Sequence, residues 1–132
     1  MNAITVEMRA SESILDCKDE LAREITGVLY ADDPTLLERF GQAGRVKCLQ
    51  DMHYSLEHLA PAVALDDPSL FTRYVLWLEN LLAVRGVSSR DVRRSLEVTQ
   101  ELLAERLRPD EAVCVLRCVR AGLASLSNAP AP

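Results

Sequence analysis

The stretches DDPTLLERF, residues 32–40, and DDPSLFTRY, residues 66–74, decide the fold class of this chain, because each one encodes the start of a helix. The two stretches agree at five of nine positions, and three of the other four are conservative exchanges. An aspartate in each copy, Asp33 or Asp67, can accept hydrogen bonds from the free backbone N–H groups of the first turn. The proline that follows it suits the first helical position, where no N–H donor is needed. The repeat therefore predicts sharply bounded helices, and shared capping chemistry is favoured over an ancient duplication as its origin.

Apolar residues spaced by three and four positions continue the helical pattern along the rest of the chain, and no strand pattern competes with them. Because the connections are short, neighbouring helices are expected to be antiparallel. The sequence thus predicts an all-α protein, an antiparallel helical bundle of four core helices plus an additional N-terminal helix. The predicted helices span residues 12–30, 34–60 with a break near Gly41 and Gly44, 68–85, 89–107 and 109–126. Residues 1–132 are predicted to form one domain, with flexible ends at 1–11 and 127–132.

Composition and charge exclude several classes of function. The chain has 132 residues, is 48% hydrophobic and carries a net charge of −5, which argues against binding nucleic acid or an anionic membrane. The N-terminus lacks a secretory signal, and no apolar run approaches the roughly 20 residues that span a bilayer. The four cysteines show no CxxC spacing. These features predict a cytoplasmic protein with reduced thiols.

Small residues line one face of the last predicted helix, opposite an apolar stripe. They are Cys114, Cys118, Ala121, Gly122 and Ser125. Small side chains let a second helix approach closely. We therefore expect an interface here with a second copy, with another regulatory protein, or with another helix of the same chain, and a solvent-exposed face is the remaining alternative. The two cysteines lack further ligands at suitable spacing, so no metal site is predicted.

A second cluster lies on the helix that contains KCLQDMHYSLEHL, residues 47–59. Asp51, Tyr54 and His58 fall on its outer flank, and a carboxylate, a phenol and an imidazole together are candidates for holding a polar ligand. An ordinary solvated face is the alternative. His53 and His58 are five positions apart and point in different directions, which is a poor spacing for a metal site.

A third cluster consists of Arg73, Tyr74 and Trp77. The arginine can lie along the indole one turn away in a cation–π contact. A tetrapyrrole or another flat ligand between helices would use such residues. The alternative is that both aromatic residues belong to the core, with their polar tips near the surface.

Four arginines form a basic patch around the turn RGVSSRDVRR, residues 85–94. They are Arg85, Arg90, Arg93 and Arg94. Positive charge at the end of a helix is favourable because it opposes the negative end of the helix dipole. The patch therefore indicates helix-end electrostatics, with an acidic partner surface as the alternative.

Within residues 51–107, four elements match a known pattern. They are the pair His-Leu at 58–59, the helix start Asp-Pro-x-Leu-Phe at 67–71, Tyr-Val-x-Trp at 74–77 and the turn Arg-Gly-Val at 85–87. This stretch resembles the helical domain that precedes cobalamin-binding domains in bacterial sensory and regulatory proteins. In that family the cobalamin-ligating motif, Asp-x-His-x-x-Gly, belongs to the following domain, and this sequence lacks it. The resemblance therefore implies a free-standing sensory or regulatory bundle. It does not imply that this chain binds cobalamin, and no cofactor is predicted.

The motifs of common enzyme classes are missing from the sequence: it has no phosphate-binding glycine loop, no nucleophile elbow and no HExxH. We therefore expect a non-enzymatic regulatory or interaction module that self-associates, as a homodimer, in bacterial signalling. The alternative is a sensor that holds a small molecule or tetrapyrrole between its helices.

Overall fold

A computed structural model describes residues 4–126, and all the regular elements in this range are α-helices. The helices are α1, Val6–Asp32; α2, Thr35–Ala64; α3, Pro68–Val84; α4, Ser89–Arg106; and α5, Pro109–Ser125. The predicted all-α class is therefore confirmed for residues 4–126. The C-terminal segment predicted to be flexible, 127–132, lies outside the described residues.

The two copies of the repeated stretch form the same helix cap. Asp33 Oδ1 accepts hydrogen bonds from the backbone N and the hydroxyl of Thr35, at 3.1 and 2.6 Å. Asp67 Oδ1 accepts the equivalent pair from Ser69, also at 3.1 and 2.6 Å. Pro34 already has helical angles, φ −60° and ψ −19°, although α2 is assigned from the next residue. The predicted capping roles of both aspartates are confirmed.

The first helix starts earlier than the sequence predicted. It begins at Val6, and the hydroxyl of Thr5 caps it by accepting a hydrogen bond from the Met8 backbone N at 3.1 Å. The helix therefore extends into the segment 1–11 that was expected to be flexible. Ala10 in this segment is fully buried, so its packing into the core stabilises the added turns.

The predicted break in the second helix is confirmed at Gly41. This residue has φ 67° and ψ −171° and separates a short helical segment, 35–40, from the long remainder of α2. A Cβ on Gly44 would collide with the Cβ of Phe40, so the second glycine gives the phenylalanine room. The second helix was predicted to reach about residue 60, but α2 continues through Pro61 to Ala64. The hydrogen bond from the Leu65 N to the Pro61 carbonyl, 3.0 Å, closes the last turn.

The fifth helix contacts each of the other four, whereas α1 contacts α2, α4 and α5. By contrast, no Cα atom of α2 comes within 8 Å of a Cα atom of α4. The helices of residues 4–126 all fall short of the combined length and apolar character of a membrane span. The largest fully buried side chains come from the first four helices: Ile14, Leu21 and Ile25 of α1, Leu56, Leu59 and Val63 of α2, Phe71, Val75 and Leu78 of α3, and Val92, Leu96 and Leu103 of α4. The fifth helix adds the smaller buried side chains Val115 and Val119.

Candidate functional site

A cleft with a volume of about 1030 Å³ separates α2 from the start of α4, and the ends of α1 and α3 close it. It is the space left where α2 and α4 stay apart. Its floor is made of buried apolar side chains, one from each of these four helices. They are Leu29, Met52, Leu82 and Val92.

The short helical segment 35–40 forms one wall of the cleft. Arg39 in this segment lies 3.5 Å from Asp33 and 3.6 Å from Asp91 at the start of α4. Its guanidinium also covers the ring of Phe40 at 5.1 Å from the ring centroid. The wall is therefore tied to α4 by side-chain electrostatics across the opening rather than by backbone contact.

Two further ion pairs cross the rim. Arg94 of α4 lies 3.0 Å from Asp32 at the end of α1. Arg85 after α3 lies 3.5 Å from Asp51 of α2. Burial raises the pKa of Asp51, and the Arg85 guanidinium opposes that shift.

Asp51 is thus separated from the other residues of its predicted cluster. The structure places it in the cleft, half-buried and paired with Arg85, and not beside Tyr54 and His58. Its position on α2 points it toward the space between α2 and α4. A helical wheel of α2 alone shows that the position faces away from the apolar stripe, but it does not show whether a cleft or bulk solvent lies there.

All four arginines of the predicted basic patch line the cleft: Arg85, Arg90, Arg93 and Arg94. Sequence reasoning found the patch but missed the cavity. The sequence signal that could have indicated the cavity was Gly41, because the kink there leaves segment 35–40 lining the same cleft as the patch.

Cys48 and Tyr30 also line the cleft. Burial raises the pKa of the Cys48 thiol from 9.0 to about 11, so the thiol stays protonated at neutral pH. Burial also raises the pKa of Tyr30. A protonated thiol is a weak nucleophile, and the cleft therefore offers shape, apolar surface and charge for binding.

A second, shallower depression is the aromatic groove between α2 and α3, with a volume of about 490 Å³. It brings together five of the six candidate ligand-binding residues and adds one leucine. Its lining residues are Tyr54, His58, Leu70, Arg73, Tyr74 and Trp77.

Tyr74 is the fixed centre of the aromatic groove. Its ring stacks on that of His58 with centroids 4.2 Å apart and an interplanar angle of 16°. Its hydroxyl lies 3.0 Å from the Ser55 hydroxyl, and burial raises the pKa of Tyr74 to about 12. His58 Nδ1 donates a hydrogen bond to the Tyr54 carbonyl at 2.8 Å, since a carbonyl can only accept. The groove therefore has a rigid aromatic base.

The interpretation of both aromatic residues as core is correct for Tyr74 and wrong for Trp77, whose exposed fraction is 56%. The inward line of α3 runs through Phe71, Val75 and Leu78, which leaves the indole on the outer side. The predicted contact of Arg73 with Trp77 is not among the cation–π contacts found within residues 4–126.

The small-residue face of α5 is largely covered by the chain itself. Cys118 is fully buried, Cys114 and Gly122 are also buried, and Ala121 and Ser125 are half-buried. Burial raises the pKa of Cys118 to about 11. Other helices of the same chain therefore cover the buried part of this face, because α5 packs against all four of them.

Comparison of the chain with protein-family models finds no match, and comparison with curated proteins finds none either. The resemblance of residues 51–107 to a cobalamin-associated helical domain therefore stays a prediction. Among residues 4–126, no three histidine, cysteine or acidic side chains gather as metal ligands.

Proposed function

We propose that this chain is a non-enzymatic regulatory module that binds a small molecule in the cleft between α2 and α4. The observation that carries the proposal is the cleft itself. Its volume of about 1030 Å³ lies at the upper end of the range for small-molecule sites, and such sites combine apolar walls with a few polar groups. This is the sensor alternative of the sequence analysis, with the ligand placed in the cleft and not in the aromatic groove.

The chemistry of the cleft supports binding over catalysis. The Cys48 thiol is held protonated by burial. The carboxylates of Asp32, Asp51 and Asp91 each lie within 4 Å of an arginine, so each one already faces a cation of the protein itself.

The proposal also includes the arrangement of the helices. The connections between helices are residues 33–34, 65–67, 85–88 and 107–108, and connections this short favour antiparallel neighbours. We accordingly keep the antiparallel bundle of four core helices with an additional N-terminal helix, in a cytoplasmic protein of bacterial signalling, as the expected setting for the cleft.

A cleft-filling variant tests the proposal. Ala43 lines the cleft and is exposed, so Ala43→Trp adds bulk there without entering the core. Ala104→Trp, on the exposed side of α4, is the matched control. With the neutral probe N-phenylnaphthylamine, we expect wild type and Ala104→Trp to bind with enhanced fluorescence, and Ala43→Trp to bind at least about tenfold more weakly, a loss of about 1.4 kcal/mol. Equal binding by all three proteins would contradict the proposal that the cleft binds a small molecule.

A second candidate function is protein–protein interaction through the aromatic groove, which would accommodate the self-association expected from the sequence. It is favoured by the exposed fractions of Trp77 and Tyr54, 56% and 54%, because tryptophan and tyrosine dominate the binding energy of interfaces. Light scattering over a range of concentrations tests it. We expect a dimer in the wild-type protein and a monomer in Trp77→Arg, and a wild-type monomer at every concentration would contradict self-association.

A further inference from the structure

The cleft concentrates positive charge in a chain whose net charge is −5. Six of the 15 lysine and arginine residues line it: Arg39, Lys47, Arg85, Arg90, Arg93 and Arg94. Five acidic residues, Asp32, Asp33, Asp51, Asp91 and Glu97, also line it. The lining is therefore net positive by one charge, against the sign of the whole chain.

Four of the five acidic groups of the cleft form ion pairs with arginines. Asp33 and Asp91 lie 3.5 and 3.6 Å from Arg39. In the same way, Asp51 and Asp32 lie 3.5 and 3.0 Å from Arg85 and Arg94. Four of the five carboxylates thus already face an arginine of the protein, although within residues 4–126 the buried Asp91 Oδ2 accepts no hydrogen bond.

Two of the cationic side chains, Lys47 and Arg90, are not paired with an acidic group in the described part of the chain. Within residues 4–126, the side chains of Lys47 and Arg90 take part in no hydrogen bond or ion pair, and both are exposed at the rim. Lys47 influences the Asp51 carboxyl only through space, and Arg90 influences Asp33 in the same way. Their N–H groups are available to an anionic oxygen, and a charge-assisted hydrogen bond of this kind is among the stronger polar contacts.

Below these cations lies the apolar floor described above, with Met52 from α2 and Val92 from α4 on its two sides. A ligand that covers this floor gains from removing apolar surface from water. A purely polar anion would leave the floor wet, and a purely apolar molecule would leave the two rim cations without a partner.

We propose, resting on the function proposed above, that the ligand of the cleft is an anionic amphiphile. Its apolar body lies on the floor between α2 and α4, and its carboxylate, phosphate or sulfonate head is bound by Lys47 and Arg90. The head group is the shared chemistry of a fatty acid and of a phosphorylated lipid, and the two are separated by competition.

A matched pair of probes tests the proposal. Anilinonaphthalene sulfonate and N-phenylnaphthylamine share the same aromatic body, and only the first carries a negative charge. We expect the variant Lys47→Gln/Arg90→Gln to bind the sulfonate about tenfold more weakly than wild type, as the loss of a hydrogen bond to a charged group predicts. Binding of the neutral probe should stay unchanged. Salt should weaken binding of the sulfonate to the wild-type protein and leave the neutral probe unaffected.

Three controls make the result specific. Arg120→Gln removes an exposed arginine of α5 outside the cleft, and Trp77→Ser removes the exposed ring of the aromatic groove. Both should bind the two probes as the wild type does. Near-ultraviolet circular dichroism and urea unfolding of every variant show whether sulfonate fluorescence comes from a loosened fold, because such a state keeps its helices but loses fixed tertiary packing.

The outcomes separate this inference from the proposed function. If Ala43→Trp blocks the neutral probe but Lys47→Gln/Arg90→Gln leaves sulfonate affinity unchanged, the cleft binds small molecules and the anionic assignment is wrong. If Ala43→Trp blocks neither probe, both proposals are wrong. Displacement of the sulfonate by dodecanoate or by dodecyl phosphate, but not by dodecanol, supports the assignment and identifies the head group. Equal displacement by dodecanol contradicts it.

Discussion

Replacing Gly122 with alanine is expected to destabilise the protein, because α5 lies directly against α3 at this position. A Cβ at Gly122 would lie 2.9 Å from Phe71 Cε2 and 3.0 Å from Val75 Cγ2. Both neighbours are almost completely buried, so neither has free space to withdraw into. The added methyl group must therefore displace core side chains.

Gly27 provides the matched control, because it also lies inside a helix but has no neighbour within 4 Å of a built Cβ. Alanine in place of glycine in a helix gains about 1 kcal/mol from backbone entropy and propensity. Overpacking a core costs about 1–3 kcal/mol. We therefore expect Gly27→Ala to stabilise the protein by about 0.5–1 kcal/mol, and Gly122→Ala to destabilise it by about 1 kcal/mol. The propensity gain cancels in the difference between the two variants, which isolates the cost of the close approach.

Urea denaturation followed by far-ultraviolet circular dichroism measures both free energies of unfolding. In a thermal melt, a loss of 1 kcal/mol should lower the Tm by about 3–5 °C for a chain of this size. If Gly122→Ala stabilised the protein as much as Gly27→Ala, the packing of α3 on α5 would be refuted. The small-residue face of α5 would then be free for a partner, as one reading of the sequence predicted.

Three further predictions concern stability. Asp67→Ala removes the acceptor of the Ser69 N–H and should lower the free energy of unfolding by about 1 kcal/mol in urea, and an unchanged value would contradict the capping role. Gly41→Ala forces a side chain into φ 67° and should cost about 1–3 kcal/mol, measured the same way, with no loss expected if the kink relaxes. Burial raises the pKa of Cys118 from 9.0 to about 11, so its contribution to stability is complete below pH 9 and is lost as the pH rises toward 11. Cys118→Ala should therefore reduce the fall in unfolding free energy between these pH values by about 2–3 kcal/mol, and an identical fall in both proteins would contradict the shift.

The sequence predicted best those features that depend on neighbouring residues alone. The caps at Asp33 and Asp67 are right because a side chain two residues from its donor needs no tertiary contact to reach it. The break at Gly41 is right for the same reason, since glycine adopts positive φ at little cost.

Features that depend on how many helices surround a given helix were predicted less well. Helical periodicity identifies an apolar stripe but not the number of neighbours, and α5 has four. The sequence therefore left open whether Cys118 and Gly122 face a partner, solvent or another helix of the chain, and the structure buries both. Trp77 was wrongly interpreted as a core residue, because the apolar pattern of α3 does not show which of its large side chains lies outside the buried set.

The cleft was the least predictable feature, because it is built from four helices and a kink. The basic patch at 85–94 and the carboxyl of Asp51 were recognised separately. Only the tertiary arrangement shows that Arg85 and Asp51, which are 34 positions apart, meet at one rim. The aromatic groove was easier to anticipate, since His58 and Tyr74 each stood out within its own helix.

The position of Trp77 has a practical consequence for anyone studying this protein in solution. It is the single tryptophan of the chain, and its ring stands outside the hydrophobic interior, already in contact with water. Its intrinsic emission should therefore shift little upon denaturation and is a poor gauge of folding. The same emission should instead respond to whatever settles on the surface between α2 and α3, so the protein carries its own optical reporter for that encounter.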